Sequence, residues 1–312
     1  MQILNSLIPI FAIIGLGLLL RRSGFLDAQT TRGFNRFAYW FALPLFLFYK
    51  LAIADPVGLS LRGIPGALSI SVLLTAFVSW LAVVLFKTPA ATRGAMIQAS
   101  FRGNLAFMGL PLVLFLIEGL PEAERLSIEA AVMVALAPVI IFYNAGSIVA
   151  LAVYNEHSEE RVSFAALLRE IAGNPLIWAC AAGLGFQFAG LGLPVPVQRA
   201  CSILGGAAFP LALVGIGSQL FSISGSPRWA ASMQSTLIKC VLSPAIAFGV
   251  GSLLGLEGAE LQAIVVLCGV PTAVSSFVLA DQMNADSDFA ASAIITCTAA
   301  SLPTLSVLIW LT

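Results

Sequence analysis

The chain has 312 residues, of which 59% are hydrophobic and only 10% are charged. About a quarter of the residues in a typical soluble protein are charged, so this composition indicates an integral membrane protein. The 15 basic and 15 acidic residues cancel, which leaves neither a basic surface for nucleic acids nor an acidic tail. The five cysteines are scattered singly, and this spacing predicts neither a disulfide framework nor a metal site.

Long apolar segments follow one another along the whole chain. About 20 apolar residues are enough for a helix to cross the hydrocarbon core of a bilayer. Division at charged and Pro/Gly-rich breaks gives ten such segments, so we predict an all-α membrane protein with ten transmembrane helices. The predicted helices span residues 3–20, 34–53, 65–86, 94–117, 127–152, 165–188, 197–221, 232–254, 259–281 and 289–311.

The distribution of basic residues predicts the orientation of these helices. Ten basic residues fall on or near odd-numbered loops: Arg21, Arg22, Arg32, Arg36, Lys87, Arg93, Arg161, Arg169, Arg228 and Lys239. Four fall on or near even-numbered loops: Lys50, Arg62, Arg125 and Arg199. Because cytoplasmic loops carry the excess of lysine and arginine, we predict a multi-pass protein of the cell inner (plasma) membrane with both termini outside.

Prolines recur in one register along the two halves of the chain. Four pairs are 160 to 166 residues apart: Pro9 with Pro175, Pro44 with Pro210, Pro111 with Pro271, and Pro138 with Pro303. This register indicates a repeat of five helices, and because five is odd, the second repeat enters the membrane inverted. Inverted repeats are typical of secondary transporters. We predict the repeats at residues 1–152 and 165–312, joined by a short cytoplasmic linker at residues 153–164.

Glycine and proline together predict breaks in helices four and nine. Proline removes a backbone hydrogen bond and clashes with the preceding turn, and glycine loosens the backbone. The stretches Gly109-Leu110-Pro111 and Gly269-Val270-Pro271 should therefore interrupt these helices near mid-membrane. In an inverted repeat the two breaks would meet where the helices cross. The positive ends of the following half-helices would then favour an anion at that point.

Polar residues lie close to both predicted breaks. Arg102 and Asn104 precede the first, and an arginine at such depth usually marks a pathway because it is costly unless paired or hydrated. The structural alternatives are that Arg102 snorkels to the inner surface and that Asn104 bonds a neighbouring helix. Hydroxyl groups follow the second break, although such residues also serve in helix packing. The predicted substrate-binding residues are Arg102, Asn104, Gly109, Pro111, Gly269, Pro271, Thr272 and Ser275.

Two stretches resemble a known family of transporters. Gly103-Asn104 followed by "MGLP" resembles the fourth helix of the auxin efflux carrier family, which includes plant PIN-type carriers and bacterial dicarboxylate carriers. The stretch from "GVPTAVSS" to "SLPTL", residues 269–305, is similar to the last two helices of that family. A long hydrophilic central loop is present in the plant carriers, whereas this chain has a short linker, which departs from the plant pattern.

The resemblance implies a fold and an activity. It implies a scaffold of helices one, two, six and seven, and a mobile domain of helices three to five and eight to ten that works by elevator-type alternating access. It further implies organic anion substrates, a homodimer, and a crossing point at which Asn104, Pro111 and Pro271 match the residues of the family.

Other classes of function have less support in the sequence. An intramembrane enzyme would need a nucleophile with its base or a metal cluster, and the chain contains no H-E-x-x-H and no G-x-S-x-G motif. We therefore expect a non-enzymatic carrier of a mono- or dicarboxylate, auxin-like or malate/malonate-like, without a cofactor. The coupling ion is left open between a proton, sodium and none. An anion channel or a membrane sensor on the same helices is the alternative.

The predicted orientation can be tested with single cysteines introduced into the central linker. We expect them to react with a membrane-permeant thiol reagent and to be protected from an impermeant reagent added outside, because the basic residues hold this linker in the cytoplasm. Reaction with the impermeant reagent in intact cells would reverse the orientation.

Overall fold

A computed structural model describes residues 2–54, 63–154, 168–169, 172–223 and 228–312, and within these ranges the regular structure is helical. The helices are α1 (Gln2–Arg22), α2 (Ala28–Phe37), α3 (Leu43–Ala52), α4 (Ile64–Leu85), α5 (Ala90–Phe101), α6 (Leu110–Ile117), α7 (Glu122–Val153), α8 (Pro175–Phe188), α9 (Val195–Gly206), α10 (Ala208–Ser222), α11 (Trp229–Leu237), α12 (Ser243–Leu253), α13 (Gly258–Gly269), α14 (Ser275–Gln282) and α15 (Ser287–Leu311).

Six helical segments among the described residues are long and apolar enough to cross a membrane. They are Asn5–Arg22, Ile64–Leu85, Glu122–Val153, Val195–Ser222, Trp229–Leu253 and Ser287–Leu311. Shorter apolar helices lie at Leu105–Ile117, Pro175–Phe188 and Gly258–Gly269. The predicted all-helical membrane class is thereby confirmed. Most of the predicted linker, residues 155–164, lies outside the described residues.

Three prolines follow turns of π-helix. The π-helical turns Ala38–Ala42, Leu105–Gly109 and Ile238–Leu242 lead directly into α3, α6 and α12, and each of these helices has proline as its second residue. A proline clashes with the carbonyl one turn earlier and donates no hydrogen bond. The wider π turn accommodates that clash, so the chain continues in helical form through Pro44, Pro111 and Pro244.

The chain divides into two compact units. Unit 1 comprises Met1–Leu61, Ala106–Ala137 and Ala172–Ser224, and unit 2 comprises Arg62–Leu105, Pro138–Ile171 and Gly225–Thr312. Each unit takes segments from both halves of the chain, so the units are not the predicted repeats, and the repeat division stays a prediction. The boundaries also run through the predicted helices four and five, of which residues 106–117 and 127–137 cluster with unit 1.

Unit 1 is held together by close helix contacts and a few polar pairs. Helix α1 packs on α10, where a Cβ added at Gly17 or at Gly217 would collide with a carbonyl oxygen of the facing helix. The hydroxyls of Thr31 and Ser218 lie 2.6 Å apart and are buried. At the end of α3, Lys50 Nζ lies 2.7 Å from Glu129 Oε1 of α7. Glu129 is itself buried, and a buried carboxylate without a partner would destabilise the fold. The ion pair with Lys50 compensates its charge.

Unit 2 contains the other long helices. Helix α4 packs on α5, α12 and α13, and α11 packs on α15, where Thr236 and Thr296 share a buried hydrogen bond of 2.9 Å. Lys239 lies inside this unit, in the π-helical turn before α12, with 0% of its surface exposed. Its assignment to a cytoplasmic loop was therefore wrong, because the helical span begins ten residues earlier at Trp229. The remaining basic residues of the two loop sets still divide nine to four.

The carboxylate of Asp286 in unit 2 accepts hydrogen bonds at the starts of three helices. Asp286 caps α15 by accepting from the Phe289 amide at 2.9 Å. Its Oδ2 also accepts from Thr92 Oγ1 of α5 at 2.7 Å and from Arg228 Nη2, next to α11, at 2.8 Å. Burial raises the pKa of Asp286, but these three hydrogen bonds outweigh burial and hold the pKa below its ordinary value. The three helices therefore begin on the same side of unit 2.

This carboxylate makes the stability of unit 2 dependent on pH. The folded-state pKa of Asp286 lies below the unfolded value of about 3.9, so its contribution is complete above about pH 5 and is lost as the pH falls through the folded pKa. We expect Asp286→Asn to destabilise the protein by about 1 kcal/mol at neutral pH. In thermal unfolding scans the deficit should shrink at an acidic pH below the folded pKa of Asp286, where the wild type is protonated as well.

Asp288→Asn is the matched control, because Asp288 is an exposed acid in the first turn of the same helix. It should leave the unfolding midpoint nearly unchanged at both pH values. Equal effects of the two substitutions would mean that the helix-start contacts of Asp286 contribute nothing specific.

Candidate functional site

The first break lies earlier than the sequence predicted. Helix α5 ends at Phe101, and Arg102 to Asn104 are extended, with Arg102 at φ −80° and ψ 100°. The expected interruption at Gly109-Leu110-Pro111 is wrong, since a π-helical turn and α6 run through those residues. Pro111 is tolerated in the first turn of α6, whereas Gly103 lies in the actual break.

The second break agrees with the prediction. Helix α13 ends at Gly269, Val270 is extended, and α14 begins at Ser275. Within unit 2 the two interrupted segments run antiparallel, with Gly103 opposite Thr272. The Asn104 amide donates to the Pro271 carbonyl at 2.9 Å, and the Ala273 amide donates to the Arg102 carbonyl at 3.1 Å. The two breaks thus satisfy each other's backbone groups at one crossing.

Thr272 fixes this crossing from the side. Its Oγ1 donates to the Ala99 carbonyl in the last turn of α5 at 2.7 Å and lies 3.2 Å from the Cys297 sulfur of α15. Only 1% of Thr272 is exposed. The hydroxyl predicted to bind substrate is therefore occupied by structural hydrogen bonds between three segments of unit 2.

Lys239 also reaches the crossing, and sequence reasoning missed it. Its Nζ donates to the Cys268 carbonyl at 2.7 Å, in the last turn of α13, where helix carbonyls lack an intrahelical donor. A Cβ at Gly103 would lie 2.9 Å from Lys239 Nζ and 3.2 Å from Val270 Cγ2. Glycine at position 103 therefore lets the lysine approach. The available signal was the position of Lys239, ten residues inside a long apolar span.

Arg102 is held by a hydrogen bond to α7. Its Nη2 donates to Asn144 Oδ1 of α7 at 2.9 Å, and the arginine is half-buried. The neighbouring rings of Phe101 and Tyr143 lie 5.8 Å apart and tighten the same contact between α5 and α7. Asn144 was not among the predicted site residues, although an asparagine within a long apolar helix is itself a signal for a buried polar contact.

The structure brings most, but not all, of the predicted residues together. Arg102, Asn104, Gly269, Pro271 and Thr272 lie at or beside the crossing in unit 2, and Asn104 is 92% buried. Ser275 follows at the exposed start of α14. The other two, Gly109 and Pro111, belong to unit 1.

The chemistry at the crossing is that of a hydrogen-bond donor site. The guanidinium of Arg102 is always charged and has five N–H donors, and the amide of Asn104 adds two donors and an acceptor. Such groups orient a carboxylate through charge-assisted hydrogen bonds. Among the described residues no group of three or more His, Cys, Asp or Glu side chains is arranged to hold a metal ion.

Comparison with known proteins agrees with this architecture. A family model described as membrane transport protein, which represents auxin efflux carrier-like proteins, matches residues 2–309. The chain belongs to this membrane transport protein family. The resemblance inferred from the sequence motifs is thereby confirmed, and the chain is a membrane transporter by family.

Two relatives of this transporter come from a bacterium and an archaeon. A Rhizobium meliloti protein named "Putative malonate transporter" is 28% identical over 317 residues, which cover 99% of this chain and 96% of that protein. A protein of Methanothermobacter thermautotrophicus named "Uncharacterized transporter" is 26% identical over 320 residues, covering 96% of this chain and 95% of that protein. Similarity therefore extends over nearly the full length in both cases.

The structural role of Thr272 in this transporter predicts the effect of removing its hydroxyl. Thr272→Val keeps the shape but leaves the Ala99 carbonyl without its donor, which costs about 1–3 kcal/mol for a buried acceptor. We expect a lower midpoint of thermal unfolding of the purified protein in detergent. Thr298→Val is the control, since the Thr298 hydroxyl donates to the Ile294 carbonyl within its own helix. If Thr272→Val has the same unfolding midpoint as the control, the hydrogen bond from Thr272 to the Ala99 carbonyl does not stabilise the crossing.

Proposed function

We propose that this transporter is a secondary carrier of small organic anions, mono- or dicarboxylates of auxin-like or malate/malonate-like kind, that works by elevator-type alternating access. The observation that carries the proposal is the crossing in unit 2. There a half-buried arginine, fixed by Asn144, lies beside the paired extended segments of two broken helices. Irregular backbone at membrane depth is tolerated where protein or a water-filled cavity satisfies it, and in transporters it lies at the binding site.

The proposed architecture has ten transmembrane helices in two inverted repeats, residues 1–152 and 165–312, with the fourth and ninth helices broken and crossing. Pro138 and Pro303, one predicted pair, both lie inside long helices, which supports the repeat register.

Hydrogen bonds between helix ends support the alternation of these helices within each unit. In unit 1 the end of α1 meets the end of α10 through Arg21 Nε and Ser222 Oγ at 3.1 Å. In unit 2 the starts of α5, α11 and α15 meet at Asp286. Both groupings fit the proposed alternation. The proposed orientation, with both termini outside in the cell inner (plasma) membrane, is supported by the distribution of basic residues. A homodimer completes the proposal, supported by resemblance to the family.

A carboxylate is the substrate group that the donors at the crossing favour. Arg102 supplies the positive charge and Asn104 an orienting amide, and the "Putative malonate transporter" from Rhizobium meliloti supports this class of substrate. Gly269 and Pro271 lie in the second break, and Thr272 attaches this break to α5 through its hydrogen bond to the Ala99 carbonyl. Ser275, at the start of α14, completes the proposed site residues in unit 2. Coupling to a proton, to sodium or to neither fits this proposal equally.

Transport by purified protein in liposomes tests the proposal directly. A carrier should take up radiolabelled malonate with saturable kinetics and should show counterflow when the liposomes are preloaded with unlabelled malonate. Conductance that rises without saturation would favour the alternative of an anion channel. Binding without flux would favour a membrane sensor.

Asn104 gives a sharper prediction within this assay. Asn104→Ala should abolish most uptake while the variant remains monodisperse, because its backbone bond to Pro271 is retained and only the side-chain contact to the ligand is lost. A lost hydrogen bond of about 1–3 kcal/mol corresponds to roughly ten- to hundredfold in affinity. Asn5→Ala, at an exposed asparagine of α1, is the control. Normal uptake by Asn104→Ala would exclude Asn104 from the substrate site.

A further inference from the structure

A buried polar pair lies one helical turn from Arg102. Gln98 of α5 and Ser147 of α7 each have 0% of their surface exposed. Neither the amide oxygen and nitrogen of Gln98 nor the hydroxyl of Ser147 makes a hydrogen bond within the described part of the chain. Buried polar side chains are nearly always hydrogen-bonded, and an unmet group costs about 1–3 kcal/mol. The two side chains therefore have unmet donors and acceptors that are available to a ligand.

Both side chains lie in the centre of one helix contact. On α5, Gly94 approaches the backbone of Ala150 and Leu151, and Phe101 approaches Gly146. Gln98 lies between these two contact positions on the same face of its helix, four residues after Gly94. The contact between α5 and α7 therefore extends on both sides of Gln98.

Ser147 occupies the corresponding position on α7. Asn144 contacts Arg102, Ala150 contacts the region of Gly94, and Ser147 lies between them on the same face. Gln98 and Ser147 therefore face each other across the contact. Arg102 and Asn144 form the next pair along it, about 6 Å from the first at about 1.5 Å of rise per residue.

The chemistry of this pair selects the kind of ligand. The amide nitrogen and the hydroxyl are donors, and the permanently charged guanidinium of Arg102 lies one turn away, which repels a cation and attracts an anion. Carboxylate oxygens meet both conditions. The distance of one helical turn between this pair and Arg102 is short. Two carboxylates of one small molecule can therefore reach both places at once.

From this geometry we infer that Gln98 and Ser147 form a second subsite, which receives the distal carboxylate of a short dicarboxylate whose first carboxylate binds Arg102 and Asn104. The inference rests on the proposed function and narrows it, because the subsite makes the carrier selective for dicarboxylates over monocarboxylates.

The experiment compares binding of malonate and acetate to the purified protein by isothermal titration calorimetry. The wild type should bind malonate more tightly than acetate. Gln98→Leu and Ser147→Ala should each weaken malonate binding by about ten- to hundredfold and leave acetate binding unchanged, since acetate has no distal group. Gln262→Leu serves as the control for the loss of a glutamine elsewhere in unit 2, where the side chain donates to the Ile309 carbonyl at 3.3 Å.

The outcomes separate the subsite from the general function. A wild type that binds neither ligand would overturn the proposed carboxylate carrier itself. Equal affinity of the wild type for malonate and acetate, or loss of both ligands in Gln98→Leu, would overturn the subsite alone. Should Gln98→Leu fail to fold, Ser147→Ala decides, because it removes a single oxygen atom and requires no repacking.

Discussion

Backbone hydrogen bonding at the crossing of two interrupted helices is the constraint on which unit 2 depends. Exposed peptide groups are not tolerated at membrane depth unless protein or a water-filled cavity satisfies them. The extended segments around Gly103 and Thr272 meet this condition by pairing with each other. The side chains of Thr272 and Lys239 then bond carbonyls in the last turns of α5 and α13. Arg102 is consequently fixed in position by hydrogen bonds of both its backbone and its side chain.

Proline acts in this fold differently from what its reputation as a helix breaker suggests. At Pro44, Pro111 and Pro244 a π-helical turn precedes the proline and keeps the chain helical. The interruption in the first half lies instead at a glycine, where a lysine side chain and a valine approach the backbone closely. Close approach therefore determines where this helix opens, and proline determines only how the following helix begins.

The sequence predicts the membrane class, the family and the second break, because each of these depends on composition or on a contiguous motif. It misplaces the first break, because glycine is needed at position 103 for a contact with Lys239, and Lys239 is 136 residues away in the chain. It likewise assigns Lys239 to a loop, because a charge near the end of an apolar segment is indistinguishable from a buried one until the helix start at Trp229 is known. The two units are also unpredictable from local patterns, because packing divides helices four and five between them.

Burial of all five cysteines has a practical consequence for biophysical work on this protein. Cys180, Cys201, Cys240, Cys268 and Cys297 are free thiols enclosed by packed helices. Modification requires an accessible thiolate, and buried apolar surroundings disfavour it. The natural sequence therefore has little background reactivity toward maleimides, so that a fluorophore or spin label can be attached at a chosen surface position without first replacing the native cysteines.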